Sequence, residues 1–433
     1  MAEEISLLKP GWKFLFRDEQ GSEIISKIKT AQEKSPSSVR LLKTTTGRRR
    51  IYVFEPEGST EKFLIKAYLP AKISKRLKYL LRNSRCKQEF EASQKLKELG
   101  IPAVKAIAFG YRLDKGMPAE EIVIEPFVED AQPFNQVWQS LAMEQRKNLF
   151  KALARMVAYL HKKGVLQRDF KPDSILVRKT AQEYEFILSD LERIKFFCKS
   201  LSQNHRIDNL GKIIQAFFAL LPCPEMEWLI DEYATGSGIP FNHPEKKAKI
   251  FLKAKKHLLK LAEQRRSWAH NTNELIEKFE TPDMQIRVSR EIGKKAIEKF
   301  LENNQLPRKG LIEISGKKLE IKETSSAKAV MENYFYLREL KIKCRPVLLA
   351  VDYRKKGKGL FGLQISESEK TYQQMLQELP PEEKYKLESA YNDFISRLKF
   401  LGLAFNNGQL QKILVAKAPD GYEFSLPSPE KII

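Results

Sequence analysis

The stretch Leu166–Val177, "LQRDFKPDSILV", constrains this chain more than any other, because of what stands around it at fixed distances. It follows a long amphipathic run, "MEQRKNLFKALARMVAYLHKKG", which reads as a helix stopped by Gly164. Twenty-one residues after Asp169, "FILSDLERIKF" puts Asp190 at the end of an apolar strand. Upstream, "FLIKAY" sets Lys66 on a strand between apolar neighbours. About twenty residues later, "RCKQEFEASQKLKELG" reads as a helix with Phe90, Leu96 and Leu99 inward, stopped by Gly100 and Pro102. That helix carries Glu89, the nearer candidate partner for Lys66, and Glu91, the second choice.

Residues Val39–Tyr68 read as three strands, from their β-branched and aromatic content, with turns at Thr46-Gly47 and Glu57-Gly58. Further strands are expected at Lys105–Tyr111 and Glu121–Val128, and from Gln132 the character turns helical. A small β-rich part thus precedes a larger helical one.

Phosphoryl transfer requires a clamp on nucleotide phosphates, one or two metal-binding groups, and a carboxylate that positions the attacking hydroxyl and takes its proton. Each part has a candidate in this order of residues. Lys66 with Glu89 would hold the α- and β-phosphates. Asp169 would be the base, Lys171 would touch the γ-phosphate, and Asp190 with Ser174 would hold the metal. "EPFV", Glu125 to Val128, would be the hinge that faces the adenine, with Glu125 and Phe127 among its cofactor-binding residues. The phosphate-covering loop is sparse, with only Gly47 in "KTTTGRRR", though the arginines beside it are suited to phosphate.

These motifs resemble the lipopolysaccharide core kinases, the Kdo/heptose kinase family of protein-kinase-like fold. The residues that carry the resemblance are "IKAYLP" (Ile65–Pro70), "KQEFEASQKLKELGIPAVKAIAFG" (Lys87–Gly110), "LHKKGVLQRDFKPDSILV" (Leu160–Val177), "FILSDLERIKF" (Phe186–Phe196) and "RIDNLGKIIQAFF" (Arg206–Phe218). It spans roughly Val39 to Leu275. It implies ATP and Mg²⁺ as cofactors, Asp169 as base, Asp190 as metal ligand and Lys66 as nucleotide ligand. It also implies a sugar of the lipid A inner core as acceptor, on the cytoplasmic side of the inner membrane. Two positions depart from the usual loop. Gln167 replaces a bracing His, and an amide can still hydrogen-bond locally. Ser174 replaces a metal-ligating Asn with a shorter, weaker oxygen ligand.

The loop also resembles that of Ser/Thr protein kinases. Only seventeen residues separate Asp190 from Asp208, where the next buried helix would begin, and no A-P-E sequence appears. A peptide acceptor would lack a platform, which favours a small sugar or glycolipid hydroxyl. A catalytically inactive pseudokinase scaffold is the alternative from a different class.

Sliding the chain by 238 residues yields a gap-free second match. Leu160, Gly164, Ile175–Val177, Tyr184–Phe186, Leu188 and Glu192 recur as Leu398, Gly402, Ile413–Val415, Tyr422–Phe424, Leu426 and Glu430. The chemical positions change: Asp169 becomes Asn407, Lys171 becomes Gln409 and Asp190 becomes Ser428. Upstream, "LEIKETSSAKAVMENYFYLREL" mirrors the lysine strand and its helix, with Lys322 opposite Lys66 and Glu332 near the helix glutamate. The expected fold class is therefore α+β, a protein-kinase-like bilobal fold with a second, degenerate and truncated kinase-like copy at the C-terminus. The expected parts are residues 1–130 (an N-terminal segment and β-rich nucleotide lobe), 131–275 (a helical catalytic lobe) and 276–433 (the degenerate repeat). The truncated copy leaves an apolar face to be covered by the first unit or by a partner, such as a second copy of the chain.

Charge bears on the acceptor. Lys plus Arg number 77 against 55 Asp plus Glu, a net +22, and such a surface attracts polyanions. A phosphorylated glycolipid and an anionic membrane surface both fit, whereas no aromatic-basic single-strand motif or recognition helix points to nucleic acid. The basic segment Glu245–Arg266 has Ile250, Phe251, Ala254, Leu258, Leu261 and Ala262 at helical spacing, either a membrane-surface helix or an ordinary one with a solvated Lys/Arg face. No run of eighteen apolar residues occurs and the N-terminus has no signal-peptide pattern, so the expected place is the cytoplasm, or peripherally on the inner face of the inner membrane. Cys86, Cys198, Cys223 and Cys344 form no CxxC pair and suggest neither disulfides nor zinc.

Overall fold

Antiparallel strands rich in β-branched and aromatic residues open the chain. The computed structural model describes residues 11–34, 39–45, 49–56, 60–69, 76, 84–180, 184–218, 220, 225–303, 306–354, 357–366, 369–403, 412–418 and 421–429. They fall into two compact units: Met1–Leu220 with Met226–Ile250, and Leu221–Glu225 with Phe251–Ile433.

The first unit begins with β1 (Trp12–Phe16), α1 (Glu19–Lys34), β2 (Val39–Thr45), β3 (Arg49–Phe54), β4 (Phe63–Tyr68), α2 (Arg85–Glu98), β5 (Ala108–Asp114) and β6 (Met117–Pro126). The strands form one sheet in the order β1-β5-β6-β4-β3-β2. Because side chains alternate across a strand, Ile65, Ile122 and Ile124 cluster with Ile24, Ile25 and Ile28 of α1. On the other face, Tyr68, Phe109 and Val123 cluster with Cys86 and Phe90 of α2. Three strands stand where Val39–Tyr68 is expected to hold them, while both anticipated turns lie outside the described residues. β1 and α1 were not anticipated. Nor was the tight β5–β6 hairpin, where Lys115 and Gly116 take φ of 51° and 76°, the positive values a two-residue turn of this hand needs.

The helical part follows with β7 (Gln132–Pro133), α3 (Phe134–Ser140), α4 (Met143–Lys162), β8 (Val165–Gln167), β9 (Ile175–Lys179), β10 (Tyr184–Leu188), β11 (Ile194–Phe196), α5 (Gln203–Phe217) and α6 (Glu225–Ser237). Gly164 ends α4 at φ 73°, and a Cβ there would lie 2.5 Å from the Phe197 carbonyl oxygen and 2.6 Å from that of Lys199. Only glycine fits. The helix expected to start at Asp208 starts instead at Gln203, because the Ser202 hydroxyl accepts from the His205 N–H and caps it there; Asp208 lies mid-helix and pairs with Lys212 at 2.7 Å. The basic helix α7 (Pro244–Arg266) buries Ile250, Ala254, Leu258 and Ala262 within the protein. Its apolar stripe is therefore not a lipid-facing surface, and Leu252 stands exposed on the charged side.

The second unit contains β12 (Ile276–Glu280), β13 (Met284–Ser289), α8 (Lys294–Asn303), β14 (Gly310–Ile314), β15 (Lys317–Thr324), α9 (Ala327–Glu339), β16 (Val347–Tyr353), β17 (Lys358–Gln364), β18 (Lys370–Thr371), α10 (Tyr372–Glu378), α11 (Pro381–Leu401), β19 (Leu414–Ala418) and β20 (Gly421–Ser425). Its large sheet runs β12-β13-β16-β17-β15-β14. β13, β16, β17, β15 and β14 thus repeat the neighbour order of β1, β5, β6, β4 and β3. The small sheets repeat with the 238-residue offset intact. Gln132 pairs with Val177 and Phe186 with Val177 in the first unit; Lys370 pairs with Val415 and Phe424 with Val415 in the second. Even an isolated parallel bridge recurs, Ala103 with Leu188 and Cys344 with Leu426. No counterpart of β11, α5 and α6 follows among the described residues.

Candidate active site

β4 holds Lys66 on the face that looks toward α2, where its ammonium lies 2.6 Å from Glu89 Oε1 and 2.7 Å from Glu125 Oε2. All three side chains are nearly sealed, at 7%, 3% and 1% exposure. Burial disfavours the charge on Lys66, but Glu125 and Glu89 outweigh it and raise its pKa above the ordinary lysine value. One ammonium cannot neutralise two carboxylates. Burial lifts Glu125 to about 7, opposed by Lys66 and reinforced by Glu89. Glu125 Oε1 is buried without a donor, which a proton held between the two glutamates would satisfy. Glu89 also accepts from the Leu191 N–H at 3.3 Å, which joins α2 to the residue after Asp190. Glu91, the second choice, points outward to Lys87.

Glu125 was expected at the hinge, and its side chain turns inward to Lys66 instead of lining an adenine edge. The strand period carries the signal: Glu121, Val123 and Glu125 alternate onto the α2 face with Lys66, which pairs with Val123. Phe127 is exposed, and its N–H is spent on the Lys62 carbonyl at 2.8 Å. Gly47 lies outside the described residues.

Asp190 follows β10 in a left-handed conformation, φ 56° and ψ 60°. Non-glycine residues reach it at a cost of about 1–2 kcal/mol, and such strain collects where a side chain must be aimed. Its Oδ1 lies 3.1 Å from Arg49 Nη2 at the start of β3. Burial opposes the carboxylate charge, but Arg49, with Lys66 and Lys171 farther off, holds its pKa below the ordinary range. Asp169 is part-exposed, 3.1 Å from Lys171 Nζ and 3.9 Å from Arg193 Nε. Gln167 ties the two aspartate segments together, as its amide accepts from the Asp169 N–H and donates to the Asp190 carbonyl. Ser174 is engaged within its own turn: its hydroxyl donates to the Lys171 carbonyl at 2.9 Å and accepts from the Lys171 N–H at 3.1 Å. Its backbone carbonyl receives the Ser189 N–H, which seats it beside Asp190.

A buried relay braces this loop from behind and was not anticipated. Arg206 donates to the Tyr233 hydroxyl, Tyr233 faces His161 Nδ1 at 2.8 Å, His161 Nε2 faces Asn209 Oδ1 at 2.9 Å, and Asn209 donates to the Gln167 carbonyl. Asn209 Oδ1 can only accept, so His161 carries its proton on Nε2 and receives the Tyr233 proton on Nδ1. Burial pushes His161 down to about 4 and keeps it neutral, as this chain of bonds requires.

The hard oxygens on the segments that these bonds tie together are the Asp190 and Asp169 carboxylates and the Ser174 hydroxyl. Among the described residues, no group of three His, Cys, Asp or Glu encloses a metal on its own. Such a sparse set fits Mg²⁺, which keeps waters and takes one or two carboxylates plus substrate phosphates.

Residues 40–228 match the Lipopolysaccharide kinase (Kdo/WaaP) family. The resemblance read over roughly Val39 to Leu275 is thereby borne out, as a likeness to that family over residues 40–228. No curated protein matches the sequence. Among solved structures, WaaP in complex with acyl carrier protein aligns at 16% identity and a TM-score of 0.42, over 56% of this chain and 98% of that one. The PknI kinase domain of Mycobacterium tuberculosis aligns at 15% identity and a TM-score of 0.29, over 50% and 97%. In the second unit, Lys322 pairs with Glu320, and Glu332 with His270 and Lys328, so the two residues that mirror Lys66 and Glu89 in sequence are engaged elsewhere. Asn407 and Gln409 lie outside the described residues. No described helix is long and apolar enough to cross a membrane.

Proposed function

We propose that the first unit transfers the γ-phosphate of ATP to a sugar hydroxyl of a phosphorylated glycolipid, of the kind found in the lipopolysaccharide inner core. What carries the reading is the joining of three segments: Lys66 to Glu89, Glu89 to Leu191 N–H, and Gln167 to both Asp169 and Asp190. Lys66 binds nucleotide phosphate, oriented by Glu89. Asp190, with the remaining lone pair of Ser174, would hold Mg²⁺, which when bound supplies charge neutralisation on the phosphates. Asp169 orients the acceptor hydroxyl and takes its proton, and Lys171 steadies the transferred phosphoryl group. Only a short 3-10 turn and β11 lie between Asp190 and Ser202, too little to dock a peptide. The net +22 charge suits an acceptor already rich in phosphates, presented at an anionic membrane surface. The second unit is proposed as a degenerate, catalytically silent copy.

ADP release from Mg·ATP should rise on addition of a lipopolysaccharide core acceptor. Asp169→Asn should lower turnover about 10³-fold with nucleotide affinity retained. A nucleotide-free scaffold is the second reading, favoured by the self-neutralised state of the cleft, with Arg49 on Asp190 and Glu125 on Lys66. Absence of both turnover and nucleotide binding would establish that reading instead.

A further inference from the structure

Three carboxylates of the site, among the described residues, each hold a cation from their own chain. Asp190 holds Arg49 at 3.1 Å, Glu192 holds Arg85 at 3.2 Å and Arg193 at 3.7 Å, and Asp169 holds Lys171 at 3.1 Å. Arg49 is the consequential one, because it occupies the carboxylate a divalent cation needs. Its guanidinium is three-quarters covered, and despite that burial Asp190, Glu89 and Glu192 keep it firmly charged. A metal ion arriving alone must displace it, and two cations cannot share Asp190 cheaply at that depth. The displaced guanidinium would then sit part-buried beside Lys66 and Arg85, with the nearby Glu89 and Glu192 already paired to those cations.

A nucleotide changes that balance, since its phosphates accept the planar fork of an arginine bidentately. Arg49 starts β3, paired with Tyr68 two residues beyond Lys66 on the same face of the sheet. It therefore stands next to the lysine assigned to the phosphates.

We propose that Arg49 couples metal to nucleotide: it neutralises Asp190 in the empty cleft and passes to the nucleotide phosphates when the metal takes its place. The inference rests on the phosphoryl-transfer reading of the cleft. Coupling of this kind is reciprocal, so nucleotide tightens metal binding by the factor that metal tightens nucleotide binding.

The test uses the full chain, with Mn²⁺ followed by the electron paramagnetic resonance of the free ion, alone and with the non-hydrolysable analogue adenylyl imidodiphosphate. Wild type should bind Mn²⁺ weakly alone and at least about tenfold more tightly with nucleotide. Arg49→Gln should bind Mn²⁺ alone about tenfold more tightly than wild type, bind nucleotide in EDTA more weakly, and show a smaller coupling factor. Arg49→Lys keeps the charge without the fork and should fall between. Equal Mn²⁺ affinity in wild type and Arg49→Gln, or no Mn²⁺ binding by Arg49→Gln alone, overturns the exchange while nucleotide binding by wild type keeps the kinase reading. Failure of wild type to bind nucleotide in any condition overturns both.

Discussion

Around the glutamate positions that face the central lysine, the first unit buries charge and the second buries hydrocarbon, its own buried Arg287 lying elsewhere on the sheet, on β13. Lys66, Glu89 and Glu125 lie between β4, β6 and α2. In the second unit, the strand pairing that sets Leu64 against Glu125 sets Glu320 against Leu363. The helix caps Ser84 and Ser326 align the Glu89 position with Met331. Met331 and Leu363 join Val330, Val347 and Phe361 in an apolar cluster. The same order of strands and helix therefore stands without the ionic cage. Burying ions carries a desolvation penalty of several kcal/mol each, and apolar replacements are often neutral or stabilising. Three buried charges are then not a requirement of the fold, and such clusters are where a functional site is to be sought.

The largest break in this comparison is Lys66→Met against Lys322→Met. The first leaves two buried carboxylates without their cation and should destabilise its unit by about 3–5 kcal/mol. The second removes a part-exposed pair and should change stability by less than about 1 kcal/mol. Cys86 is buried in the first unit, and Cys344 lies mostly covered in the second, its thiol pushed up to about 12 by burial. Their labelling in a denaturant series reads each unit separately. Lys66→Met should release Cys86 earlier and leave Cys344 unmoved; equal shifts at both would contradict the assignment.

Next in size are the glycines that end the two long helices, Gly164 after α4 and Gly402 after α11. Both have left-handed φ, 73° and 78°. Alanine at Gly164 would also meet two carbonyl oxygens at 2.5 and 2.6 Å, whereas at Gly402 the nearest atom is the flexible Lys255 Nζ at 3.1 Å. Gly164→Ala should cost about 3 kcal/mol and Gly402→Ala about 1 kcal/mol, measured by the same labelling. Comparable losses would show that the clash around Gly164 relaxes.

Smaller still is a pH effect confined to the first unit. Glu125, held at about 7 against a carboxylate value of 4.5, keeps a proton on folding that the unfolded chain gives up. Between those values the folded state binds more protons, so stability falls as pH rises from about 4.5 to 7 and levels off above. Glu121, also lifted to about 7 by burial, adds to that slope. Glu125→Gln should flatten the slope seen through Cys86 and leave that seen through Cys344. An unchanged slope would mean Glu125 stays ionised.

Much of the site was legible because its parts are local. The Asp169 loop, Asp190 at a strand end, and Gly164 as a helix stop each declare themselves within a dozen residues. Glu89 was found by spacing alone. Arg49 and the inward Glu125 were not, since each depends on which face of the sheet meets α2, and that is fixed only when the strands pair. With Lys66 facing the cleft, alternation along β3 and β6 selects Arg49 over Arg50 and turns Glu125 inward. The His161 relay escaped notice for a different reason. Its members come from three helices and the strand β8, which no sequence period links.

The most direct measurement is a calorimetric titration of the full chain with a Mg²⁺-bound, non-hydrolysable ATP analogue. One nucleotide per chain is expected, with binding abolished in Lys66→Met and Asp190→Asn and retained in Lys322→Met. Two nucleotides per chain, none, or binding indifferent to Lys66 and Asp190 would contradict the claim that the charged cage of the first unit is a nucleotide site and its apolar counterpart is not.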